Sequence, residues 1–258
     1  MQKNFSLLPF ALCLAAVAAA GQGVIAARTS APSPSAVTPE HAADLENRLS
    51  DWAQLGHYRQ ANLELARPAA GSPRVVFLGD SITQNWGSKY GRFFPGKAYV
   101  NRGISGQTTP QMLVRFTPDV LALHPAVVVI FAGTNDVAEN NGPEPLEAIE
   151  DNFRAMVTLA RAAHVRVVLC SVLPAASFPW RTSIEPREKI RLLNDWLRKF
   201  AGNTGAVYVD FYSAMVDRDG GLRTEFGADL VHPNDAGYAV MEPLAAEGIA
   251  RALRSGKR

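Results

Sequence analysis

Residues 74–83 read RVVFLGDSIT: an apolar run, Arg74–Leu78, stops at a glycine, and a polar Asp80-Ser81 pair follows at once. Four further runs of the same kind occur at Ala98–Val100, Ala126–Phe131, Val165–Val172 and Ala206–Phe211. Each is continuously apolar rather than alternating. Strands covered on both faces have this pattern, and it points to a parallel sheet. Helix-like stretches lie between or after them, at about 108–122, 144–163, 186–201 and 234–254. About five strands alternating with helices predict a three-layer α/β/α sandwich with an open, doubly wound parallel sheet. Residues 40–66 also read as helical, with Leu45, Leu49, Trp52 and Leu55 at helical spacing.

In an open parallel sheet the site lies beyond the carboxyl ends of the strands. The residues there are Gly79-Asp80-Ser81 after the first run and Asn101-Arg102-Gly103-Ile104-Ser105-Gly106 after the second. Gly133-Thr134-Asn135-Asp136 follows the third, and Asp229-Leu230-Val231-His232-Pro233 comes after the fifth and a long loop. These types suit acyl transfer. A serine hydroxyl needs a base to become a nucleophile. His232 can supply it, and Asp229 can hold the imidazole. The N–H groups of Ser81 and Gly103 and the side-chain amide of Asn135 can face a developing oxyanion. Taken singly, Ser81 also suits a helix cap, Asn135 and Asp136 a turn, and His232 a solvent-facing position before a helix. Asp217 and Asp219 compete with Asp229 as the acid, although Gly220-Gly221 after them reads as a tight turn.

The four blocks, in this order, resemble the SGNH hydrolases, also called GDSL esterases and lipases. Ser81, Gly103, Asn135 and His232 match the four name residues, and Asp229 matches the acid. Ile82 replaces the leucine of GDSL. The resemblance covers about 74–250. It implies a flavodoxin-like sheet and a Ser-His-Asp mechanism with no metal or organic cofactor. The family includes carbohydrate acetyl esterases, lysophospholipases and thioesterases. The expected activity is hydrolysis of short acyl esters, such as acetylated carbohydrates. The alternatives are longer acyl esters and thioesters, or a carbohydrate- or envelope-binding protein without catalysis.

The chain has 258 residues, with 26 basic and 24 acidic side chains. This balance argues against a nucleic-acid partner. Residues 1–27 have Lys3, an apolar stretch from Phe5 to Ala20 and small residues beyond, the pattern of a secretory signal peptide. Export to the periplasm or medium is therefore expected, with no stable membrane insertion after cleavage. Residues 28–39 (RTSAPSPSAVTP) read as a linker, and 40–258 as a single hydrolase domain. Cleavage would remove Cys13 and leave Cys170 as the one cysteine, read as a buried hydrophobe.

Other motifs carry weaker signals. Gly91–Ala98 approaches a phosphate-binding loop but lacks the terminal hydroxyl and leads into a strand. His41, His57, His124 and His164 have no paired metal spacing. Trp86, Tyr90, Phe178, Trp180 and Arg181 are candidates to line a pocket. Oligomeric state is left open.

Overall fold

The computed structural model describes residues 38–68 and 71–255. The signal-peptide reading and nearly all of the linker lie outside them, and Pro39 already opens the first helix. In chain order the elements are α1 (Pro39–Ser50), α2 (Arg59–Glu64), β1 (Val75–Gly79), α3 (Ser81–Asn85), β2 (Tyr99–Gly103), α4 (Thr109–Val114), α5 (Phe116–Asp119) and β3 (Val127–Phe131). There follow α6 (Thr134–Val137), α7 (Leu146–Ala162), β4 (Arg166–Cys170), α8 (Arg187–Thr204), β5 (Val207–Val209), α9 (Tyr212–Met215) and α10 (Asp235–Arg254).

All five strands are parallel, in the order β2-β1-β3-β4-β5. This is the flavodoxin-like arrangement, whose switch point lies between β1 and β3. Successive strand residues feed opposite cores. Val76, Leu78, Val128, Ile130, Val167 and Leu169 pack with side chains of α4, α7 and α8. Val75, Phe77, Val129, Val168 and Val209 pack with α3 and α10. Both faces are therefore dry, which is why the strands read as unbroken apolar runs. Each such side chain contributes about 1.5–3 kcal/mol when fully buried. Gly79 pairs in register with both Gly103 and Phe131, so three strand ends finish level.

Two helical expectations fail. The stretch 40–66 breaks into α1 and α2 because Asp51 caps the intervening turn, accepting from Leu55 N and Gly56 N at 2.8 Å each. Gln54 there takes a left-handed φ of 55°. Leu45, Leu49, Trp52 and Leu55 are exposed rather than buried. The stretch 108–122 divides into α4, α5 and a 3-10 turn at Leu121–Leu123. Pro118 has no N–H to continue the ladder of α4 back to Val114. Among the described residues no helix is long and apolar enough to cross a membrane.

Candidate active site

Between β1 and α3 the chain turns sharply, and Asp80 caps the new helix by accepting from Ile82 N at 2.9 Å. The capping role that either Asp80 or Ser81 could fill thus belongs to Asp80. Ser81 is left as the first residue of α3, with its hydroxyl at the rim. Asp80 is buried, and burial pushes its carboxyl up to about 7.

His232 reaches Ser81 from the turn before α10. Its Nε2 lies 2.9 Å from Ser81 Oγ, and its Nδ1 lies 2.8 Å from Asp229 Oδ2. The carboxylate favours the proton on Nδ1. Nε2 then offers its lone pair, and the serine hydroxyl donates to it. Three residues suffice because Asp229 Oδ1 also accepts from the backbone N–H groups of Val231 and His232, at 2.7 Å each. Partial burial would raise the Asp229 carboxyl, but these N–H groups and the imidazole outweigh it and hold the group below its ordinary value. Gly227 and Pro233 bridge the base of the turn. The Tyr238 hydroxyl donates to Ile82 O at 2.6 Å and ties α10 to α3.

Of the expected oxyanion donors, Ser81 and Asn135 stand at the ends of β1 and β3, at the switch point. Asn135 Nδ2 donates to Gln107 O at 3.0 Å and lies a long 3.4 Å from Asp80 Oδ2. Its Oδ1 accepts from Asn140 Nδ2 at 2.7 Å, which fixes which way the amide faces. Gly103 is not such a donor. It closes β2 in a buried position, and its N–H donates to Asn101 Oδ1 at 2.9 Å. A Cβ there would lie 2.2 Å from Gln84 N, so the glycine serves close packing of β2 against α3. Three residues on, Gly106 is exposed with φ +77°, and its N–H has no partner among the described residues. The sequence signal was present, since both glycines stand in the quoted block, but only the second lies past the strand end.

Sequence reasoning missed the polar platform beneath these loops. Arg115 is fully buried. It donates to Gly79 O at 2.9 Å, to Arg102 O at 2.8 Å and to Gln107 Oε1 at 2.5 Å, and pairs with buried Asp119 at 3.3 Å. One guanidinium thus ties the ends of β1 and β2 to the loop that holds Asn135. Asp136, read as a turn residue, accepts from Thr109 N and Thr109 Oγ1. Its second oxygen is buried with no hydrogen-bond partner among the described residues, and the Glu144 carboxyl is an electrostatic neighbour of the group. Burial, then the nearby Asp136 charge, pushes Glu144 up to about 7. Both carboxyls are therefore held above their ordinary values.

The remaining candidates divide cleanly. Trp86 is buried among Phe77, Phe93, Phe94 and Tyr238 and is core. Phe178 is likewise buried. Trp180 is 44% exposed, its ring centroid 6.2 Å from that of His232, and its Nε1 donates to Asn140 Oδ1 at 2.9 Å. Cys170 is buried, and burial raises its thiol. Asp217 accepts from Asp219 N and Gly221 N and builds the turn expected there. Among the described residues no cluster of three or more His, Cys, Asp or Glu is placed to hold a metal ion.

The pattern of the GDSL-like Lipase/Acylhydrolase family matches residues 77–240. A solved acylhydrolase structure from Bacteroides fragilis, so assigned on a provisional basis, is 45% identical with TM-score 0.76, covering 79% of this chain and 99% of that one. A GDSL-like lipase from Bacteroides thetaiotaomicron is 42% identical with TM-score 0.75, covering 78% and 100%. An acetylxylan esterase of Xylanibacter ruminicola is 27% identical over 221 residues, which is 70% of this chain but only 44% of that enzyme's length. The chain belongs to the GDSL-like lipase/acylhydrolase family.

Proposed function

We propose that the protein is an exported serine esterase that cleaves short acyl esters, acetylated carbohydrates foremost. The hydrogen-bonded chain Ser81–His232–Asp229 carries this reading. Ser81 Oγ attacks the ester carbonyl while its proton passes to His232 Nε2. The oxyanion forms against the N–H of Ser81, the N–H of Gly106 and the amide of Asn135. Collapse expels the alcohol, which takes the proton from His232. Water then attacks the acyl-serine with His232 again as base, releasing the acid and restoring the hydroxyl. Asp229 stabilises the imidazolium and does not itself take the proton. No metal or organic cofactor enters the scheme. The apolar stretch of residues 5–20 supports export.

The test is hydrolysis of aryl esters from acetyl to palmitoyl by wild type and Ser81→Ala, without added metal. Activity highest on acetyl and lost in the variant is expected. Equal activity in both proteins would refute the role of Ser81, and a maximum at long chains would refute the short-acyl preference.

A further inference from the structure

A cleft of about 760 Å³ opens beside the rim. One wall is the turn between α1 and α2, from Asp51 to His57. Opposite it stand Ser105, Gly106, Asn140, Trp180 and Arg181. It is continuous with the site. Gly106 is the backbone donor assigned above, Asn140 holds Asn135, and Trp180 lies beside the His232 ring.

We infer that this cleft is the leaving-group subsite and that it takes a neutral sugar ring, with Trp52 and Trp180 as its apolar faces and Gln54, His57 and Arg181 as its hydrogen-bonding edge. The inference rests on the esterase reading and goes further, in that it assigns the alcohol side. The chemistry of the lining decides the class of ligand. None of the described residues lining it carries an aliphatic hydrocarbon side chain. A long acyl chain would therefore find little to bury against. Two half-exposed indoles instead offer flat apolar surfaces, which suit the C–H face of a pyranose. The Trp180 N–H is already satisfied by Asn140, so that indole presents its ring rather than its N–H. The Gln54 amide and the His57 ring nitrogens have no hydrogen-bond partner among the described residues, and Arg181 spends one donor on Glu139 O at 3.1 Å. Such unspent donors and acceptors match vicinal hydroxyls.

The wall is also built rather than draped. Gln107 Nε2 donates to Ala53 O at 2.9 Å, and Gln111 Nε2 donates to Trp52 O at 2.7 Å. The same Gln107 accepts from Asn135 through its own carbonyl. The turn is thus pinned to the residue that positions the oxyanion amide. Gln54 is held at a left-handed φ that few non-glycine residues adopt. This wall precedes residues 77–240, the part that the family pattern matches.

The experiment compares kcat/KM for peracetylated methyl xyloside with kcat/KM for vinyl acetate, whose leaving group has no ring. Wild type, Trp52→Ala and Gln54→Ala are measured. The ratio of sugar ester to vinyl ester should fall at least about tenfold in each variant. An unchanged ratio in both would overturn the subsite. A second measurement does not depend on turnover: a xylo-oligosaccharide is titrated into Ser81→Ala while tryptophan emission is followed. Saturable change is expected, and its loss on adding Trp180→Ala. If wild type hydrolyses neither ester, the esterase reading fails alone and the titration still judges the subsite. Absence of saturable change would overturn it.

Discussion

Ser81 and Asn135 stand on buried polar groups drawn from several separate segments between Gln107 and Asp136, whereas His232 and Asp229 are carried by one short turn. On the first side Arg115, Asp119, Asp136 and Gln107 are all essentially out of water. On the second, the Asp229 side chain is 47% exposed, and each of its partners lies within three residues. The difference teaches where free energy is at risk. A buried network is costly to break because each member leaves another unpaired in a medium of low dielectric. A local exposed turn costs little stability to alter, because water replaces what is lost. Changes on the turn should therefore strike rate without stability, and changes beneath Ser81 should strike stability as well.

The sharpest test is Asp229→Asn. The amide can keep its backbone contacts but presents N–H to His232 Nδ1, which moves the ring proton to Nε2. Turnover on an acetyl ester should fall by about 10⁴-fold, with an unchanged melting temperature. A large drop in melting temperature would break the comparison. Next comes Arg115→Met. It fills the volume but leaves Asp119 buried without its cation, and should cost about 3–5 kcal/mol in denaturant unfolding. A loss below about 1 kcal/mol, the scale of an exposed pair, would show that the platform is no more valuable than a surface contact. Asn135→Ala removes one oxyanion donor and should lower kcat by about 10²- to 10³-fold with little change in KM. A rise in KM alone would make Asn135 a binding residue instead.

The smallest effect concerns pH. An unfolded glutamate ionises near 4.5, whereas Glu144 holds its proton to about 7. Between those values the folded protein binds the extra proton. That contribution to stability is whole below about pH 4.5 and is lost as the pH rises through about 7. Glu144→Gln replaces the titrating carboxyl with an amide that does not ionise. The wild-type melting temperature should decline relative to the variant's by a few degrees at most between pH 5 and pH 8. Parallel curves would show that Glu144 is not held above its ordinary value.

Much of this was legible in the sequence for a definite reason. A parallel sheet with two dry faces leaves unbroken runs such as Val127–Phe131, and its topology sends the following polar residues to one rim. Ser81, Asn135, Asp229 and His232 could therefore be picked out as candidates from the sequence, and the structure brings Ser81, His232 and Asp229 into one hydrogen-bonded chain. Arg115 could not. A buried arginine looks like any surface arginine until the carbonyls around it are known. Gly103 and Gly106 stand three apart in one block, and only the pairing of Gly103 with Gly79 shows which one is spent inside the sheet. The break between α1 and α2 was hidden because Trp52 and Leu55 keep helical spacing through a turn.

Ser81 and His232, nucleophile and base in the proposed mechanism, are 151 residues apart in the chain. During synthesis the serine is therefore complete long before its partner exists. Until α10 has docked, bringing Tyr238 onto Ile82 and Asp235 onto the Gly91 N–H, the growing polypeptide carries an ordinary, unreactive alcohol. On the proposed mechanism hydrolytic power arrives with α10, so a nascent or truncated chain ending before residue 232 should not attack the esters around it.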